Sequence, residues 1–282
     1  MSTSLYITTA DGVRLAANVF EPEGEPCALV VINPAMAVRA RFYRHYASYL
    51  RDHGYVVVTY DYRGMGGSAI DLSVKADLVS WAKTDFAAVI DYAKDRFPAL
   101  DILVVGHSFG GQVPRLSEHT RYVSGMLAIS AQYGYWKLWP MPARWGLFAL
   151  WYFFMPVAVT VLGYFPAKML RLGEDLPSGA ARQWARWCRS HQYFFQEHNV
   201  LPELNMSDLY IRFVGFSDDW MAPARSIEEL RDTYAQAVTW REYIKPEQYH
   251  LEKIGHFGFF SKSMQDTLWP HSLTWLEEVQ NH

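Results

Sequence analysis

With 282 residues, half of them apolar, the chain is long enough to bury one large core or two small ones. Its 26 Lys and Arg stand against 29 Asp and Glu, a formal charge of −3 with no basic run, which excludes a surface built to neutralise phosphates; nucleic acid is not an expected partner. Cys27 and Cys188 lie far apart and form no CxxC pair, which excludes a zinc ribbon or a disulfide framework and points to a reducing compartment.

The first 22 residues alternate polar and apolar around Asp11-Gly12, which predicts a hairpin rather than a charged-then-apolar leader, and hence a cytoplasmic protein. CALVVINPA (27–35) is a continuous apolar run closed by a proline loop, the pattern of a strand buried on both faces. A helix follows at 42–54, with Phe42, Tyr43, Tyr46, Ala47 and Leu50 on one face and a glycine stop. YVVVTYD (55–61) is the next strand. A glycine-rich loop then leads to a long helix from about Leu78 to Phe97, whose inward face is Ala82, Phe86, Val89, Ile90, Ala93 and Phe97. DILVV (101–105) is a third buried strand, followed by a glycine-flanked serine and a further helix, and YVSGMLAIS (122–130) is a fourth. Strands alternating with helices imply an α/β fold with a mostly parallel sheet covered on both faces.

The alternation stops at Ala131. Residues 132–207 are dense in aromatics, hold no buried strand and are interrupted by prolines; LYIRFVGF (209–216), a helix near Arg225 to Tyr234, VTWREYI (238–244) and a final helix to 279 then restore it. The reading is a core of residues 1–131 and 208–282 with an inserted helical lid at 132–207, on the side of a parallel sheet where ligands bind.

Gly106-His107-Ser108-Phe109-Gly110 lies between a predicted strand and a predicted helix. In that context G-x-S-x-G is a sharp turn that exposes a serine hydroxyl at the strand end, with backbone N–H groups behind it for an oxyanion. A serine hydroxyl is a weak nucleophile at neutral pH and needs an imidazole base, itself oriented by a carboxylate. Two late segments supply them: FVGFSDDWMAP (213–223) ends a strand in two adjacent aspartates, and KIGHFGFF (253–260) sets His256 in a glycine-flanked loop.

On these motifs the chain resembles the α/β-hydrolase superfamily over nearly its whole length. DYRGMGGS (61–68) is similar to a recurrent loop of that superfamily, and GYW (134–136), LGEDLP (172–177) and WARWC (184–188) are similar to a bacterial subgroup of hydrolases. The resemblance implies a triad of Ser108, Asp219 and His256, because Gly215, Asp219 and Pro223 match the spacing around the acid; Asp218 is the rival. It also implies an oxyanion hole made by the N–H groups of Phe109 and Ala35, with Met36 as the alternative to Ala35. Here the chain departs from the superfamily, carrying Asn33-Pro34 where many members have His-Gly; proline has no N–H to donate.

Other residues read as structural. His107 packs under the turn, His250 is strand-end surface, Cys188 and His191 belong to an aromatic helix, and Gly64, Gly66 and Gly67 lack dinucleotide-loop spacing. Trp145–Phe165 runs 21 residues without a charge, long enough to cross a bilayer as a helix. Pro156 at its centre and the return of the chain to the same sheet favour the lid of a soluble enzyme over a membrane-dipping one, with a dimer surface as a third use. The expected activity is cofactor-free and metal-free hydrolysis of a small hydrophobic ester or thioester through an acyl-enzyme on Ser108. An acyltransferase with the same triad is one rival, and a non-catalytic ligand-binding or scaffold protein on the same fold is another.

Overall fold

A computed structural model describes residues 2–68, 76–170, 172–197 and 205–281. Eight strands form its central sheet: β1 (Ser2–Thr8), β2 (Arg14–Phe20), β3 (Ala28–Asn33), β4 (Tyr55–Tyr60), β5 (Ile102–His107), β6 (Gly125–Ile129), β9 (Tyr210–Phe216) and β10 (Val238–Ile244). A separate two-residue pair, β7 (Tyr164–Phe165) and β8 (Leu176–Pro177), lies in the insertion. The sheet order is β1-β2-β4-β3-β5-β6-β9-β10; the first two pairings are antiparallel and the other five parallel. The expected α/β-hydrolase architecture of a mostly parallel sheet flanked by helices is therefore present, and the opening hairpin turns where expected, at Gly12 with φ +84°.

The period of two along each strand divides the core into two layers. Leu29, Val31, Ile102 and Val104 face the layer that holds Trp81, Phe86, Val89 and Ile90 of the long helix at 78–96. Val30, Ile32, Leu103 and Val105 face the opposite layer, with Tyr46, Ala47 and Leu50 of the helix Arg44–Asp52 and Trp269, Trp275 and Leu276 of the helix Leu268–Gln280. Both faces are dry, which is why these strands read as continuous apolar runs.

Two local expectations are corrected. No α-helix follows Ser108; the chain makes two 3₁₀ turns, Ser108–Gly111 and Val113–Leu116. Gly110 and Gly111 have poor helix propensity and Pro114 has no N–H for a helical ladder. Nor does Pro156 break the apolar segment, which forms one helix, Ala143–Leu162. A π turn at Leu150–Phe154 directly precedes the proline and takes up the missing backbone bond. The rest of the insertion contains a helix at Ser178–Arg189 and a 3₁₀ turn at Tyr193–Gln196. Residues 171 and 198–204 of the predicted lid lie outside the described residues.

The loop after β4 is closed by a buried arginine. Arg63 donates from Nε to Asp85 at 2.6 Å and from its two terminal nitrogens to Asp11 at 2.6 and 2.9 Å. The hydrogen bond from Arg63 holds the Asp11 carboxyl down at about 2. Asp61 accepts from the N–H groups of Ala40 and Gly67, so this glycine loop is tied to its own carboxylate and frames no phosphate.

Candidate active site

Ser108 sits at the C-terminal end of β5 with φ +54°, a left-handed conformation that non-glycine residues adopt only at a cost of about 1–3 kcal/mol. The flanking glycines are there for space. A Cβ on Gly106 would lie 2.5 Å from the Gly111 Cα, and one on Gly110 would lie 2.1 Å from the carbonyl oxygen of Asn33. Both contacts are backbone, so neither can relax, and the elbow tolerates only hydrogen at these positions. Asn33, at the end of β3, binds the turn from outside: its Nδ2 donates to the Gly110 carbonyl at 3.2 Å and its Oδ1 accepts from Tyr60 Oη at 2.9 Å.

The acid and the base come from the ends of β9 and β10. The Asp219 Oδ2 accepts from His256 Nδ1 at 2.8 Å, and its Oδ1 accepts from the N–H groups of Met221 and Ala222. The two aspartates share none of their partners. Asp218 Oδ2 accepts from the N–H groups of Ile254 and Gly255, so it shapes the loop that carries the histidine without touching the imidazole. With Nδ1–H donated to Asp219, His256 keeps Nε2 as an acceptor. Both Ser108 and His256 line the same cavity.

Of the two alternatives for the first oxyanion donor, Ala35 is engaged in a hydrogen bond. The N–H of Ala35 donates to Tyr43 Oη at 2.8 Å, and that phenol lies 2.9 Å from His107 Nδ1. His107 Nε2 lies 2.8 Å from the His256 carbonyl, which can only accept, so Nε2 carries the proton and Nδ1 accepts from Tyr43. A relay thus runs from Ala35 through Tyr43 and His107 to the backbone of His256. Burial, with the nearby His256 second, pushes the His107 imidazole well below its ordinary range, so it stays neutral. His107 lies under the turn as read from sequence, but the Ala35 N–H is already used. No hydrogen bond from the Met36 N–H is formed among the described residues, so of the two alternatives it is the one left unengaged beside the N–H of Phe109, the second residue of the first 3₁₀ turn.

The cavity encloses about 130 Å³ and is almost wholly apolar. Leu147, Leu150, Trp151 and Met155 of the helix Ala143–Leu162 form one wall and Trp184 and Cys188 another. Burial pushes the Cys188 thiol well above its usual range, and His191 is exposed; the two form no nucleophile pair. His250 is exposed, as read from sequence. Sequence reasoning missed Gln132, whose Oε1 accepts from Ser108 Oγ at 3.3 Å, and Gln112, which donates to the Gln132 carbonyl at 2.7 Å. The available signal was position alone, since Gln132 falls three residues past the end of β6 at the mouth of the sheet. No cluster of three His, Cys, Asp or Glu that could hold a metal occurs among the described residues.

The segment between β6 and β9 is fastened to the loop after β3. Ala37, at φ +61°, accepts from the Glu174 N–H at 2.7 Å, and a Cβ on Gly173 would lie 2.3 Å from the same carbonyl. Arg39 and Lys168 both pair with the Glu174 carboxylate.

A serine elbow, a late acid and a later histidine on such a sheet have close counterparts. Residues 24–165, half of the chain, match the family described as serine aminopeptidase, S33. The chain is an α/β-hydrolase of this family. The hydrolase is also 28% identical over 127 residues to the monoglyceride lipase of Mus musculus, covering 44% of this chain and 42% of that one. It is 32% identical over 102 residues to the monoacylglycerol lipase of Mycolicibacterium smegmatis, 36% of each chain. These matches span about two fifths of the lipases' length. In fold, the hydrolase is similar to a thermostable carboxyl esterase from Bacillus coagulans, with a TM-score of 0.69 at 15% identity over 99% of both chains.

Proposed function

We propose that this S33-family hydrolase cleaves carboxylic esters with hydrophobic acyl groups through an acyl-enzyme on Ser108. The observation that carries the reading is that a strained serine and an aspartate-held histidine open into one apolar cavity. His256 Nε2 takes the Ser108 proton as Oγ bonds to the acyl carbon, then passes it to the departing alkoxide; water reverses the sequence. The N–H groups of Phe109 and Met36 face the developing oxyanion, and Asp219 holds the imidazole in its tautomer and supports its cation. The lipase names of the relatives favour esters. So does the lining of the cavity, which among the described residues includes no Asp or Glu to hold the ammonium of a peptide N-terminus. The test is hydrolysis of aryl esters from acetyl to palmitoyl by wild type and Ser108→Ala, with a fluorophosphonate probe. Labelling and turnover lost together in the variant support the reading; a wild type that neither labels nor turns over sinks it.

The outer face of the insertion suggests where such substrates are met. Only 17% of the most apolar stretch of the helix Ala143–Leu162 is buried, and Phe154 and Val161 are 66% and 75% exposed. Its inner face lines the cavity, so this helix joins the site to the outer surface. Lys137 precedes this helix and Arg144 stands at its start, and the helix carries no Asp or Glu, in a chain of net charge −3. An apolar face with cations at one end suits the surface of an anionic bilayer, with the helix lying in the interface rather than crossing it. Flotation with vesicles tests this: binding to phosphatidylglycerol vesicles that exceeds binding to phosphatidylcholine and falls in Val161→Asp supports it, and no binding to either refutes it.

A further inference from the structure

Gln132 has no part in the chemistry above, yet it holds the nucleophile. Its Oε1 is the hydrogen-bond acceptor for Ser108 Oγ, and among the described residues Ser108 Oγ makes no other hydrogen bond. The backbone on either side is pinned: Gln112 Nε2 donates to the Gln132 carbonyl, Tyr193 Oη donates to Gln112 Oε1 at 3.0 Å, and the Tyr133 N–H donates to the Ser226 carbonyl. Both polar atoms of the Gln112 amide are therefore used. The Gln132 Nε2 forms no hydrogen bond among the described residues, and its side chain lines the cavity, where the amide N–H is open to a ligand.

Resting on the ester-hydrolase reading, we propose that Gln132 is a specificity-determining residue that binds a hydroxyl on the alcohol side of the substrate. The amide touches Oγ, so its other arm faces atoms one or two bonds from the scissile carbonyl. On the acyl side those atoms are hydrocarbon, which the walls formed by Leu150, Trp151 and Met155 receive. On the alcohol side they include oxygen. A hydroxyl there accepts from Nε2–H and donates to Oε1, replacing the Ser108 hydroxyl at the amide. Ser108 is then released to donate to His256 Nε2, Oγ bonds to the carbonyl carbon, and the proton leaves on the alcohol oxygen. A substrate with such a hydroxyl thereby frees the nucleophile that will attack it.

The test compares 2-hydroxyethyl octanoate with its near-isostere propyl octanoate on the full-length protein, so that one hydroxyl replaces one methyl. Wild type is expected to favour the hydroxyethyl ester about tenfold in kcat/KM, the size of one well-placed hydrogen bond, with part of the gain in kcat. Gln132→Leu is expected to bring that ratio near unity, the readout being the ratio of the two esters within each protein and not the rate on either one. Gln132→Met, which keeps the length of the side chain but has neither the amide donor nor its oxygen, should lose the preference too, and serves if the leucine variant does not fold. A preference that survives in the variants, or is missing from wild type that still labels with fluorophosphonate, overturns the role of Gln132 alone. Wild type that neither labels nor cleaves either ester removes the hydrolase reading with it.

Discussion

Removing one oxygen atom tests the relay beneath the elbow. Tyr43 is fully buried and its ring packs edge-on to His107 and Phe260 at 5.9 and 4.9 Å between centroids, contacts that phenylalanine would keep. Tyr43→Phe therefore deletes two hydrogen bonds and nothing else, leaving the Ala35 N–H and His107 Nδ1 without partners. Each buried orphan costs about 1–3 kcal/mol, so the sum is about 2–6 kcal/mol. For a domain of this size that lowers Tm by roughly 4–24 °C. Burial holds the phenol well above its usual range, so it donates throughout the working pH range and the loss is not a pH effect. Thermal unfolding followed by circular dichroism gives the stability. Kinetics on an aryl ester give the second reading, an expected fall of about tenfold in kcat as the loop bearing Met36 loosens. An unchanged Tm refutes the relay. A rise in kcat refutes the choice of Met36, because the freed Ala35 N–H would then be the oxyanion donor.

Three further outcomes are expected. Asp219→Asn should lower kcat by about 1,000- to 10,000-fold, the loss that follows when an imidazole is left in the wrong tautomer. Asp218→Asn keeps an oxygen for the Ile254 and Gly255 N–H groups and should stay within about tenfold; equal losses in the two variants would show that the wrong aspartate has been assigned to His256. Gly110→Ala drives a methyl group into the Asn33 carbonyl and should abolish soluble, probe-reactive protein. Gly146→Ala, with nothing within 4 Å of the new carbon and a place in an exposed helix, should raise stability by about 0.5–1 kcal/mol in denaturant titrations. The third concerns acid. Arg63 depresses the folded-state carboxyl of Asp11 below its unfolded value, so its stabilisation is complete above about pH 4 and is lost as pH falls towards 2. The stability gap between wild type and Asp11→Asn should close over that range, and a gap independent of pH would contradict the assignment.

Much of the scaffold was legible because it rests on local rules. The runs 28–33, 55–60 and 102–107 are strands buried on both faces, and nothing but a covered parallel sheet suits such runs. The glycines of the elbow were legible for their positions, though the reason, close approach of Asn33 and Gly111 backbone, is tertiary. Asp219 and His256, implied by resemblance, meet across the ends of neighbouring strands. What failed to show in sequence depends on partners distant along the chain. The fate of the Ala35 N–H is decided by a phenol on the 3₁₀ turn before the next helix, and Gln132 matters because Ser108 turns towards it. The helix expected after Ser108 failed because strand–turn–helix is a habit of the motif, whereas Gly110, Gly111 and Pro114 are the residues present.

The bond between the Ala37 carbonyl and the Glu174 N–H, with no room for a side chain at Gly173, joins two parts with different tasks. One end is a neighbour of Met36, which lines the cavity; the other belongs to the stretch that leads from the cavity wall into β8. A displacement of that stretch must either break this contact and the Arg39 and Lys168 ion pairs with it or carry Met36 along. The shape of the cavity wall and that of the loop after β3 are thereby tied together, so that a substitution felt at Gly173 or Glu174 is felt also at the residues beside Ser108.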